Sequence, residues 1–402
     1  MLNTPKSLRL HIGIFGKRNA GKSTLINTLT HQETSIVSEI AGTTTDTVEK
    51  AMEMLPLGPV VFIDTAGTDD EGKLGEQRVK RTMRALEKSD VAIIVSDFEC
   101  WDDGLEKIAQ TLKDKGIPII ALINKCDKEK PEPAKVAKIE AFTPFVLKTS
   151  LHKDENVVIK IKDLLIKSVP EEFVKPPMMT EKLLKHSQTA ILVTPQDKAA
   201  PKGRLIMPEA AVLRELLDRH CITLVATDDE LKDALGSLKN PPAVVITDSQ
   251  AFKKVAEIVP QNIPLTSFSI IYANVKGDLT RFCEGARKIA ELRDGDKILI
   301  CESCTHHQTD DDIAKVKIPA LIRKTTGKDL IFEHVSSCDF PEFISRYALI
   351  IHCGGCMTNR REILSRIEKS SAAGVPITNY GLAIAYCLGI FDRAVKPFAN
   401  NG

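Results

Sequence analysis

Gly16-Lys17-Arg18-Asn19-Ala20-Gly21-Lys22-Ser23 fits G-x-x-x-x-G-K-[ST], directly after an apolar run at 10–15 and directly before a helical pattern. Glycines in such a loop let backbone N–H groups converge on phosphate oxygens, and the helix N-terminus adds a favourable dipole. Lys22 is placed to reach the β- and γ-phosphates and Ser23 to ligate Mg²⁺, while Asn19, Ala20, Gly21 and Thr24 line the same pocket. Asp64-Thr65-Ala66-Gly67 follows the apolar run at 60–63, so Asp64 can hold Mg²⁺ through water and the Gly67 amide can sense the γ-phosphate. Between these segments, Thr44 in Gly42-Thr43-Thr44-Thr45-Asp46 can cap Mg²⁺ when the triphosphate is bound. Asn124-Lys125-Cys126-Asp127 ends another apolar run. A carboxylate at Asp127 can accept from guanine's N1–H and exocyclic amine, a pair that adenine lacks. Ser150, in Thr149-Ser150-Leu151, sits where a backbone amide can meet the guanine carbonyl. Together these segments predict GTP binding and hydrolysis, with Lys22, Thr44 and Asp64 at the reacting phosphate.

A second constellation lies near the C-terminus. Cys301-Glu302-Ser303-Cys304-Thr305-His306-His307 follows one apolar run, and His352-Cys353-Gly354-Gly355-Cys356 follows another. Both sit at expected strand C-termini, where open α/β sheets place ligands. A Cys-x-x-Cys pair presents two thiolates to one centre, with the third from Cys304 or Cys301. On the residues alone three readings stand: three cysteines on a [4Fe–4S] cluster, Cys301, Cys304, Cys353 and Cys356 on tetrahedral Zn²⁺, or buried unliganded thiols. His306 and His352 are then candidates for a fourth ligand or for groups that orient the ligands.

The elements that position these residues follow an α/β pattern. Apolar runs at 10–15, 60–63, 91–96, 117–123 and 144–148 alternate with helical patterns, and a helix at 157–168 closes the first set. Pro170, Pro176 and Pro177 interrupt a charged stretch, so residues 1–168 read as a P-loop GTPase domain and 169–182 as a linker. Runs at 190–194, 222–226 and 243–247, separated by helical patterns at 209–220 and 229–239, predict a small central doubly wound α/β domain over 183–263. Runs at 267–272, 297–301 and 348–352 predict further strands in a C-terminal α/β domain over 264–402.

Composition narrows the function. Lys plus Arg is 55 against Asp plus Glu at 54, and only 5% of residues are aromatic. A net charge of +1 supplies no global field for nucleic acid or an anionic membrane, and few rings are available for base stacking. No apolar run reaches the roughly 20 residues of a membrane span, and the N-terminus lacks a signal-peptide pattern, so the expectation is a cytoplasmic protein. Ten cysteines in 402 residues are too sparse for a disulfide framework.

The nucleotide motifs resemble those of the translation-factor-like GTPases, in the branch of Era and MnmE. That resemblance implies a K⁺ ion held beside the phosphates by Asn19, supplying positive charge to the transition state. Thr68 stands where Ras-like proteins carry the glutamine that positions water, which implies slow intrinsic hydrolysis. Adding Cys304-Thr305-His306 and His352-Cys353-Gly354-Gly355-Cys356, the whole chain resembles the HydF family of [FeFe]-hydrogenase maturation GTPases. By that resemblance Cys304, Cys353 and Cys356 bind a [4Fe–4S] cluster, and the central domain serves homodimerisation. The C-terminal domain then carries a diiron precursor, with two radical-SAM maturases and the apo-[FeFe]-hydrogenase as partners. The rival readings are an RNA-modification or ribosome-assembly GTPase with a zinc-binding C-terminal domain, and a redox enzyme whose cluster transfers electrons.

Overall fold

In the computed structural model of the protein, the N-terminal apolar runs form strands β1 (Leu10–Gly16), β4 (Gly58–Asp64), β5 (Val91–Ser96), β6 (Ile119–Ile123) and β7 (Val146–Lys148). The structure describes residues 6–32, 38–40, 48–65, 82–170, 173, 178–195, 205–302, 312–336, 340–341 and 343–399. Thr44, Gly67, Cys304 and His306 lie outside the described residues. The chain divides into two units, Met1–Pro176 and Pro177–Gly402.

With β2 (Ser38–Ile40) and β3 (Val48–Met54), the first unit is built on one seven-stranded sheet in the order β2-β3-β4-β1-β5-β6-β7. Its five expected strands are mutually parallel, and β5 and β6 are buried throughout, as strands covered on both faces must be. Ile12 and Ile14 of β1 join one apolar core with Leu25 and Leu29 of the helix Lys22–Gln32 and Val157 and Ile161 of the helix Val157–Ser168. Phe15 turns to the opposite core with Leu105 and Leu112 of the helix Asp103–Asp114.

Antiparallel strands extend one edge of the parallel sheet that the α/β alternation implies. β2 and β3 add there, β3 pairing with β4 from Val48 opposite Asp64 to Met54 opposite Gly58. The β3 sequence, Val-Glu-Lys-Ala-Met-Glu-Met, carries too many charges to read as a strand alone. Pairing against the buried β4 decides it.

The second unit holds two four-stranded parallel sheets. One is ordered β11-β10-β8-β9, from β8 (Thr189–Val193), β9 (Ile222–Ala226), β10 (Val244–Thr247) and β11 (Leu265–Ser267). The other is ordered β13-β12-β14-β15, from β12 (Lys297–Glu302), β13 (Ile331–Ser336), β14 (Leu349–His352) and β15 (Ile377–Asn379). A single apolar core runs from Ile191 and Val245 of the first sheet through Phe268 and Ile271 to Leu299 and Ile350 of the second. The central sheet therefore reaches past residue 263, because Leu265–Ser267 pairs with β10.

The strand expected at 267–272 is a helix, Phe268–Lys276, capped by Ser267, whose Oγ accepts from the Ile270 amide at 3.3 Å. Phe268, Ile270, Ile271, Tyr272 and Ala273 are all buried. A segment covered on every side carries no polar face to reveal its period, and that leaves helix and strand indistinguishable by pattern. No helix among the described residues is long and apolar enough to cross a membrane.

Candidate functional site

The phosphate loop turns between β1 and the helix Lys22–Gln32. Asn19 is left-handed at φ +61° and Gly21 lies at φ +115°. A Cβ at Gly21 would fall 2.4 Å from Asn124 Nδ2, and the positive φ there favours glycine. Lys22 is buried, with Nζ donating to the carbonyls of Gly16 at 2.8 Å and Lys17 at 2.7 Å. Its ammonium thus lies along the mouth of the loop, which Ala20 backs from the core and Ser23 and Thr24 continue as the helix begins.

Asp64 ends β4 beside this loop. Burial raises its carboxyl pKa, while the charges of Lys22 and Lys50 pull it back. Its Oδ1 is buried with no hydrogen-bond partner among the described residues. A buried carboxylate oxygen without a donor fits a hydrated Mg²⁺, which Ser23 would complete from the helix N-terminus. Thr65 is locked underneath by its hydroxyl, which donates to the Ile14 carbonyl at 2.6 Å.

Asn124 acts as a tie. Its Nδ2 donates to the Ala20 carbonyl at 3.0 Å, and its Oδ1 accepts from the Leu151 amide at 3.0 Å, joining the phosphate loop to the segment 149–151. Lys125 is left-handed at φ +60°, with Nζ 3.6 Å from Asp97 Oδ2. The Ser150 hydroxyl and then Lys153, 3.0 Å away, hold the Asp127 carboxyl below the usual carboxylate range. Asp127 is therefore ionised at neutral pH and acts as an acceptor only. The Leu151 amide is committed to Asn124, and Ser150 meets the site through its side chain.

The cysteine-bearing site stands at the C-terminal ends of β12 and β14. Cys301 pairs across the sheet with His352 and is 1% exposed, and burial pushes its thiol up to about 12. It is a neutral thiol within the core. His352 is also buried. Arg366 Nη1 lies 2.6 Å from its Nε2 and can only donate, so the ring proton sits on Nδ1, which donates to the Cys353 carbonyl at 2.7 Å. Burial and then the Arg366 charge bring the imidazole down to about 3. Both ring nitrogens are thus engaged, and His352 orients the Cys353 backbone. Arg366 is itself held by Glu362 at 2.5 Å.

Between the two cysteines, Gly355 is left-handed at φ +67°, and a Cβ there would meet Ile363 Cδ1 at 2.6 Å. Lys276, at the end of the helix Phe268–Lys276, lies beneath this turn and donates to the carbonyls of Gly355 at 2.9 Å and Thr358 at 3.0 Å. Lys276, Arg366 and Tyr272 were not legible as site residues. The one available signal was a lone lysine closing an apolar run, and its meaning depends on the helix. Among the described residues no group of three or more His, Cys, Asp or Glu side chains is arranged to hold a metal ion. Cys353 and Cys356, on either side of the glycine turn, are the described members of the set Cys304, Cys353 and Cys356.

Sheet order, phosphate loop and guanine-side tie define a P-loop GTPase, and residues 11–125 match the model described as 50S ribosome-binding GTPase. Beyond it, residues 179–277 match the hydrogen maturase F dimerization domain, and residues 280–397 match the hydrogen maturase F tetramerization domain. Curated relatives match part of the chain. GTPase Der of Wolinella succinogenes is 39% identical over 133 residues, 32% of this chain and 28% of that protein. GTPase Der of Mycoplasmopsis pulmonis is 37% identical over 180 residues, 40% of this chain and 41% of that protein. The chain thus spans less than half the length of either. Among solved structures, the G domain of the Thermotoga maritima FeoB iron transporter is 21% identical with a TM-score of 0.32, covering 40% of this chain and 98% of that one. Aquifex aeolicus Era bound to GDP and AlF₄⁻ is 23% identical with a TM-score of 0.33, covering 54% and 92%.

Proposed function

We propose that this GTPase is a scaffold or carrier that binds a [4Fe–4S] cluster and delivers a diiron precursor to an apo-[FeFe]-hydrogenase. The observation that carries the reading is the joining, in one chain, of a P-loop GTPase to two domains matched by hydrogen maturase F models. Cys353 and Cys356 would hold the cluster from the C-terminal end of β14, with Cys304 as the third ligand. The cluster would supply an iron centre to which a precursor can attach. His352 and Lys276 shape the loop that presents the thiolates. Two radical-SAM maturases are the proposed source of the precursor. On the nucleotide side GTP and Mg²⁺ bind through Lys22, Ser23, Thr44 and Asp64, and Asn19 is the proposed K⁺ ligand. Asn124, Lys125, Asp127 and Ser150 form the guanine side.

The test is iron, labile sulfide and zinc analysis of anaerobically reconstituted protein, with EPR after reduction. The expected result is about four irons and four sulfides per chain, with the reduced signal lost in Cys353→Ala. Stoichiometric zinc without labile sulfide would sink the reading. It would favour a ribosome- or RNA-directed GTPase with a zinc domain, a view supported by the description of the model matching residues 11–125.

Self-association is assigned to the central domain, and β9 is its proposed seam. This strand lies at the sheet edge and leaves Ile222 60% and Val225 41% exposed, with Leu217 of the neighbouring helix at 50%. Long apolar edges are pairing surfaces unless covered. Burying each side chain is worth about 1.5–3 kcal/mol. Ile222→Lys with Val225→Lys is therefore expected to weaken the dimer roughly 10²–10⁴-fold. Sedimentation of the variant at the parent's dimer weight would show that the seam lies elsewhere.

A further inference from the structure

Lys276 is 2% exposed, at the end of a helix otherwise lined by Phe268, Ile270, Ile271, Tyr272 and Ala273. Its Nζ sits on two carbonyl oxygens, those of Gly355 and Thr358, and 4.7 Å from the centroid of the Tyr272 ring. Among the described residues no carboxylate pairs with it; burial pulls its ammonium pKa down to about 7, and Cys356 and then Cys353 are the neighbours that act against this. The Tyr272 hydroxyl beside it is buried without a hydrogen-bond partner among the described residues. An ammonium removed from water without an acid beside it is costly, and carbonyl dipoles offset only part of the loss. Negative charge gathered on the turn Cys353–Cys356 would supply the rest. Lys276 also lies one residue before the end of the segment matched by the dimerization model, whereas the turn belongs to the segment matched by the tetramerization model. One side chain thus joins the two.

We propose that Lys276 is the buried counter-charge of the cluster centre, a positioning residue that anchors the loop 353–358 from the neighbouring domain and raises the cluster's reduction potential. The inference rests on the cluster reading above and adds to it a residue outside the cysteine motif. Its physical basis is that thiolates and cluster carry net negative charge, and one-electron reduction adds another. A positive charge in a medium of low dielectric favours the reduced form.

The test uses full-length protein reconstituted anaerobically, with dithionite as electron donor and the EPR signal followed against potential. Lys276→Gln keeps N–H donors for the two carbonyls but removes the charge, and Lys276→Arg keeps the charge. The expected result for Lys276→Gln is at least a tenfold shift of the reduction equilibrium toward the oxidised form, 59 mV for one electron. Lys276→Arg is expected to stay within threefold of the parent. Loss of iron and sulfide in Lys276→Gln with retention in Lys276→Arg also supports the counter-charge. An unshifted potential in Lys276→Gln, or equal loss of cluster from both variants, overturns it and leaves a packing role. A parent protein that takes up no cluster overturns the cluster reading itself, an outcome read before either variant is made.

Discussion

Replacing Lys22 with methionine is expected to lower the rate of GTP hydrolysis by about 10²–10³-fold, the loss typical of removing one preorganised charge from a developing oxyanion. The ammonium is buried and already aimed along the loop by the Gly16 and Lys17 carbonyls, so little reorganisation is needed when phosphate arrives. The same substitution changes the pH profile. Burial raises the Asp64 carboxyl pKa, and the Lys22 charge opposes it more than any other neighbour. Without Lys22 the carboxyl rises further, and a protonated acid does not hold Mg²⁺. Activity is present above the Asp64 pKa and lost as pH falls through it, so the acid limb of the variant lies at higher pH than that of the parent. Phosphate release measured across pH, with saturating Mg²⁺, checks both effects. Superimposable acid limbs would separate Lys22 from Asp64.

The second large effect is expected at Asp127. Its carboxylate is kept ionised by Ser150 and Lys153, and it projects from the loop that Asn124 ties to the phosphate loop. Two charge-assisted hydrogen bonds to guanine, at about 1.5–3 kcal/mol each, amount to about 3–6 kcal/mol. Asp127→Asn is therefore expected to weaken GDP and GTP binding roughly 10²–10⁴-fold. An asparagine also turns a donor toward guanine's amine, and xanthine carries a carbonyl at that position. The variant should accordingly prefer XDP to GDP in competition titrations. Unchanged GDP affinity would reduce Asp127 to a surface partner of Lys153.

The two ends of the chain differ in how much of their chemistry could be read directly. The phosphate loop needs a strand, a glycine turn and a helix start in immediate succession, so residues 10–24 carry both the chemistry and its scaffold. The helix Val157–Ser168 is similarly plain, since its apolar positions recur with helical period and only one side is buried. Strand β3 was hidden because its pairing with β4 outweighs a charged local pattern. The helix Phe268–Lys276 was hidden because it is covered on all sides.

Residue types and spacing by themselves determined the nucleotide chemistry and the cysteine pair at the end of β14. Tertiary structure decided the rest. It turned Asn124 into a tie to Ala20, 104 residues earlier in the chain, and committed both nitrogens of His352 to the protein. It also carried the Lys276 ammonium to Gly355, 79 residues away, where no carboxylate among the described residues meets it. The physical reason is range. Dihedral preference and periodicity act over a few residues, whereas burial, and the charge compensation that burial demands, depend on which distant segments the core brings together.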